Sequence, residues 1–210
     1  MHELRVLCIL ILFLGLAICQ TPLPTYELML VDNFSVPSLS MKCTGPCYPL
    51  VEAASGPGIL GGARLVQLQS NQGSITCETA PNGGGLEFDV YGTKVNNDLY
   101  SYQQSAYLIY DANEFPVNPY GLGRVDLYNG QAGNGYFEFS LTNSAERNFW
   151  TMNITVFSGI KNCTASFFPC TGTDICINYV PFGEFPDCDL HNVGAITTTI
   201  LAISDSSSQA

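Results

Sequence analysis

Apolar and polar residues alternate with a period of two in several short stretches of this chain. Across 86–90, Leu86, Phe88 and Val90 fall on one side and Glu87 and Asp89 on the other. Across 137–141, Phe137, Phe139 and Leu141 oppose Glu138 and Ser140, and from Trp150 onward Trp150, Met152, Ile154 and Val156 oppose Thr151, Asn153 and Thr155. Successive side chains of a strand point to opposite faces of its sheet, so each stretch predicts a strand with one buried face. The pattern predicts strands at 26–34, 64–70, 74–78, 86–91, 106–111, 123–128, 135–141, 149–157 and 195–203, separated by Gly, Asn and Pro clusters such as 81–85 and 129–135. No stretch sustains a helical period. Short strands of this kind predict an all-β fold, an antiparallel two-sheet sandwich of jelly-roll type.

The amino terminus breaks the pattern. Residues 1–5 are polar with one basic side chain, and 6–19 form an apolar run without a charge. A membrane-spanning helix needs about 20 apolar residues and a signal-peptide core only about 7 to 15, so the run predicts a cleavable secretory signal. Ala17 and Cys19 are the small residues expected before a cut ahead of Gln20, and Thr21, Pro22 and Pro24 end any helix. The expected organisation is a signal peptide at 1–19, one β-sandwich domain at 20–203 and a polar tail at 204–210, with no stable membrane span and a secreted, extracellular location.

Composition narrows the partners. With 210 residues, 46% of them apolar and only 12% charged, the chain suits one domain with a real core. A formal net charge of −11 with seven basic residues disfavours nucleic acid and anionic membranes, which reward Lys and Arg clusters. Neutral polysaccharide or matrix glycan remains compatible, and the bland meaning of the charge is solubility.

Cysteine usage agrees with export. Beyond the signal lie Cys43, Cys47, Cys77, Cys163, Cys170, Cys176 and Cys188, an odd number that predicts three disulfides and one leftover thiol in an oxidising compartment. CTGPC at 43–47 reads as a turn closed by its own bridge. The four late cysteines sit in a stretch with little alternation, which reads as a long loop stapled by two bridges. Cys77 is a candidate for the leftover thiol. No CxxC pair is present, so zinc is a poor reading and no metal or other cofactor is expected.

Three NxS/T triplets, at Asn33, Asn153 and Asn162, are candidate glycosylation sites. Asn153 falls on the polar side of its strand, so a glycan there is expected to point to solvent.

Certain segments occur in an order that resembles a group of bacterial secreted β-sandwich proteins often carrying a carboxyl-terminal PEP-CTERM sorting signal. They are DNFS at 32–35, SGPGILGGARLVQL at 55–68, YLIYD at 107–111, GLGRVDL at 121–127 and NVGAI at 192–196. The resemblance implies an exported jelly-roll-like fold with a surface or matrix role; it carries over no catalytic residue. The cysteines and the absent sorting tail depart from that pattern.

Catalytic motifs are weak. Glu87 and Asp89 resemble the start of the ExDxxE signature of jelly-roll glycoside hydrolases, in which alternating carboxylates on one strand supply nucleophile, helper and acid/base. Tyr91 and Gly92 stand where the third acid belongs, so a solvated strand face is the stronger reading, although Glu138 on another strand is a candidate acid. GPGILGG at 56–62 lacks the GK[ST] of a phosphate loop and precedes a strand, so it reads as a turn. Asp111, Asn113 and Glu114 offer oxygen ligands suited to calcium, without a calcium-loop spacing, so a polar inter-strand loop is expected. His191, two residues after Asp189, lacks a GxSxG nucleophile elbow. Two functions remain: a non-catalytic extracellular protein binding glycans through Tyr100, Tyr102, Tyr107, Tyr110 and Tyr120, or a secreted glycoside hydrolase using Glu87 and Asp89.

Overall fold

The computed structural model describes residues 29–34, 39–80, 85–91, 93–96, 99–111, 116–128, 135–143, 150–170 and 172–204. Its strands, in chain order, are β1 (Ser40–Thr44), β2 (Cys47–Ser55), β3 (Ala63–Gln72), β4 (Ser74–Thr79), β5 (Leu86–Tyr91), β6 (Thr93–Asn96), β7 (Leu99–Tyr110), β8 (Tyr136–Asn143), β9 (Trp150–Ser158), β10 (Lys161–Phe167), β11 (Gly172–Pro181) and β12 (Ala195–Ser204). All their pairings are antiparallel. The fold is all-β, as the alternation predicts, and no helix among the described residues is long and apolar enough to cross a membrane.

One large sheet has the order β10-β9-β12-β7-β3-β2, with β6 paired to β7. Its register explains the core. Ala165, Ile154, Thr198, Leu108 and Val66 form one row across five strands, and Phe167, Met152, Ile200, Ala106 and Leu68 form the next. Every second residue therefore faces the same way, and Val66, Leu68, Ala106 and Ile154 are fully sealed from solvent.

Two smaller sheets cover that face, β1-β4-β5 and β11-β8, so the architecture is sandwich-like with its second layer in two pieces. Met41 pairs with Cys77 and Cys77 with Phe88, while Cys43 pairs with Ile75 and Ile75 with Val90, all turned toward the core. In the other piece, Phe137 packs edge-on against Phe182 and Phe185 with ring centroids 5.2 and 5.7 Å apart, and Phe139 meets Phe167 of the large sheet at 5.7 Å. Aromatic side chains bury large areas and prefer such edge contacts, so this cluster holds the two-stranded sheet in place.

Besides β1, β2 and β6, which the pattern does not predict, three segments depart from the pattern reading. The stretch containing the four late cysteines is not mainly loop: it contains β10 and β11, with Cys163 inside β10 bridged to Cys188 and Cys176 inside β11 bridged to Cys170. The predicted strand at 123–128 is a series of turns with one isolated bridge, Val125 to Val193. Of the predicted strand at 26–34, residues 29–34 contain one bridge, Asp32 to Ile59. Gly73, between β3 and β4, shows why that turn needs glycine: its φ is +82°, and a Cβ there would lie 2.1 Å from the carbonyl oxygen of Tyr91.

Candidate functional site

Among the described residues, the outer face of β8 and β11 gathers four exposed large apolar side chains, Tyr136, Ile175, Ile177 and Tyr179. Tyr136 is opposite Pro181, Glu138 opposite Tyr179 and Ser140 opposite Ile177. Their inward neighbours Phe137 and Val180 are buried, so alternation turns these residues out. Tyr136 and Tyr179 are 44% and 55% exposed, and their rings meet edge to face with centroids 4.9 Å apart. Ile177 and Ile175 extend the strip along β11, with Glu138 and Ser140 beside it. An aromatic surface rimmed by a carboxylate and a hydroxyl can stack on the C–H face of a sugar while accepting bonds from its hydroxyls. Sequence reasoning missed this pair because β11 shows little alternation. Tyr136 alone was readable, on the polar side with Glu138 and Ser140.

The tyrosines proposed from sequence do not form one surface. Tyr110 is buried at 3% exposure on the core side of β7 and cannot touch a glycan, a correction imposed by its place in the core. Tyr107 is half-buried on the opposite face of the same strand, paired with Thr199 and Gln67. Tyr120 is exposed, in the turns after residue 116. Tyr100 and Tyr102 lie in β7, and their side chains fall outside the described residues.

Glu87 and Asp89 are exposed on the outer face of β5, as expected of a solvated strand face. The third carboxylate of that face comes from the neighbouring strand: Glu78 of β4 is directly opposite Glu87, while Asp89 is opposite Thr76. Glu78 also accepts a long hydrogen bond from the Ser40 hydroxyl, at 3.4 Å. Glu138 lies on the separate β11-β8 sheet.

Asp111 is fully buried, and its Oδ2 accepts the Asn118 N–H at 2.7 Å, so its carboxylate organises the following loop. Asn113 and Glu114 fall outside the described residues. Among the described residues no three His, Cys, Asp or Glu side chains group as a metal site.

His191 pairs with a different acid from its sequence neighbour. Its Nδ1 lies 2.9 Å from Asp126 Oδ1, and its ring rests on Tyr128 at 4.7 Å. Asp189 instead accepts the His191 backbone N–H. With the Val125–Val193 bridge, these contacts pin the 125–128 and 189–193 loops together.

The cysteines pair as Cys43–Cys47, Cys163–Cys188 and Cys170–Cys176, leaving Cys77 free and buried. The four late cysteines thus pair among themselves, as their clustering predicts. Burial disfavours the thiolate of Cys77 and pushes its pKa up to about 12. Such a thiol is a poor nucleophile.

No protein-family model, no curated protein and no solved structure matches this chain.

Proposed function

We infer that this protein is a secreted, non-catalytic extracellular or matrix protein that binds a neutral polysaccharide through the outer face of β8 and β11. The observation that carries the reading is the exposed Tyr136–Tyr179 pair with Glu138 and Ser140 at its side. Three disulfides support a compartment outside the reducing cytosol. The apolar run at 6–19 supports cleavage ahead of Gln20. The net charge of −11 directs the choice toward neutral rather than acidic glycans, since like charges repel.

The test is a polysaccharide depletion assay on secreted protein, with reducing-end release followed in the same tubes. Depletion without release supports the reading. Tyr179→Ala and Tyr136→Ala should each lose binding, whereas Tyr120→Ala, in a separate loop, should keep it. Equal binding by all three variants and the wild type would remove this face from the proposal. Mass spectrometry should find the secreted chain starting at Gln20, and retention of 6–19 in a membrane fraction would overturn the secreted reading.

A hydrolase is the second reading, favoured by one observation: Glu78 and Glu87 are directly opposite each other across β4 and β5. Residues so placed have Cβ atoms about 4.5–5.5 Å apart, near the carboxyl spacing of about 5 Å that retaining glycosidases use. Both acids are exposed to water, which is the ordinary place for charge and needs no catalytic role. Release of reducing ends by the wild type would promote this reading.

A further inference from the structure

The fold treats the three NxS/T asparagines differently. The side chain of half-buried Asn33 lies over Gly58, where a Cβ would come within 2.3 Å of Nδ2, and its backbone N–H donates to the Gly58 carbonyl at 3.1 Å. Asn153 is in the middle of β9, between Ser166 of β10 and Thr199 of β12, and its Oδ1 is sealed from solvent. Asn153 lies on the outward side of β9, as alternation predicts, but it is half-buried there, so a glycan would start among the side chains of the two neighbouring strands.

Asn162 is different. It is the second residue of β10, it is exposed, and β10 is the terminal strand of the large sheet. Thr164, two residues on, faces the same way, is also exposed, and its hydroxyl lies 2.8 Å from that of Thr155. The intervening Cys163 is turned to the core and bonded to Cys188, 25 residues later. That bridge cannot close until Cys188 has entered the same compartment.

We propose that Asn162 is the N-glycan acceptor of this protein, and that its oligosaccharide shields the β10 edge of the large sheet, where no described strand pairs. In the transfer, Asn162 Nδ2 forms a bond to C1 of the sugar as the C1–O bond to a lipid-linked diphosphate breaks. The amide loses one proton and the lipid diphosphate leaves, with no change of oxidation state. An unpaired strand edge is a template for pairing with another chain, and proteins blunt it with charge, proline or cover. On β10 the described charge is Lys161 alone, and Ile160 at the adjoining hairpin is 92% exposed. A hydrated oligosaccharide on Asn162 supplies the missing cover.

The inference rests on the secreted reading. It is tested by expressing the full chain in a eukaryotic secretory host and mapping glycopeptides of folded protein from the medium. The expected result is one occupied site, lost in Asn162→Gln and in Thr164→Ala, and kept in Thr164→Ser, which preserves the acceptor pattern. Size-exclusion chromatography should show oligomers rising when the glycan is absent. Folded secreted protein with a bare Asn162, or with a glycan on Asn33 or Asn153 instead, overturns the inference while leaving secretion intact. Glycan loss without new association overturns the shielding role alone. A chain held in the cytosol overturns secretion and the inference together.

Discussion

The guanidinium of Arg64 donates to the carboxylate of Asp32, and both side chains are shut off from water, at 0% and 2% exposure. The Tyr110 hydroxyl donates to the same Asp32 Oδ2 at 3.1 Å, and the Phe34 ring lies 5.0 Å from the Arg64 guanidinium carbon. This cluster anchors residues 29–34 to the core side of β3 and β7. Removing one partner of a buried pair strands the other charge and costs about 3–5 kcal/mol, whereas apolar replacement of both is often near neutral. Asp32→Ala is therefore expected to lower unfolding free energy by that amount in urea titrations, and Asp32→Leu with Arg64→Met to recover most of it. A single-variant loss no larger than that of a surface change would refute the anchoring role.

Alkaline stability should follow Cys77 and Tyr110. Burial raises the Cys77 pKa to about 12, and burial followed by the charge of Asp32 raises that of Tyr110 well above its ordinary value. For both groups the native state holds its proton where the unfolded chain has released it. Their contribution is thus complete below the unfolded values, about 8.5 for the thiol and about 10 for the phenol, and declines as pH rises beyond them. Denaturation midpoints should fall between about pH 9 and 12, and the fall should be shallower in Cys77→Ala. Native protein at pH 8 should resist thiol reagents until denaturant is added.

The Cys163–Cys188 bridge should matter most among the three disulfides. It closes the longest interval, 25 residues against 4 and 6, and ties the inner face of β10 to the loop before β12. Chain-entropy reasoning assigns such a loop about 3 kcal/mol. Cys163→Ala with Cys188→Ala is expected to lose roughly that in chemical denaturation, and more than the Cys43–Cys47 double variant loses.

Glu87→Gln should leave the fold and any glycan binding almost unchanged. It removes one of two like charges facing each other across β4 and β5, so a change within about 0.5 kcal/mol, toward greater stability, is expected. If the wild type cleaves a β-glucan and this substitution lowers the rate by about a hundredfold or more, the scale of a lost catalytic carboxylate, the non-enzymatic reading falls.

Alternation by itself determined the all-β class and the orientation of individual strands. Leu86, Phe88 and Val90 turn inward and Glu87 and Asp89 outward in the folded protein, as do Met152, Ile154 and Val156 against Asn153 and Thr155. That information is local, because backbone stereochemistry sends neighbouring side chains to opposite faces wherever the strand lies. The grouping of the late cysteines was equally readable, since proximity along the chain favours proximity in space.

Pairing partners were not readable, and the tertiary structure decided everything that depends on them. β1, β2, β6, β10 and β11 escaped the pattern; β1 and β10 do alternate, but with small, polar or cysteine side chains that give alternation little apolar contrast. Arg64 opens the predicted strand at 64–70, and only the tertiary structure sets it against Asp32, which Tyr110 also contacts. Tyr110 looked like a surface aromatic until the sheet put it in the core, and Tyr179 became half of a surface pair only when β11 lay against β8. Burial of a polar group and exposure of an aromatic one are set by contacts between residues far apart in the chain, whereas period-two alternation is set by each residue's immediate neighbours.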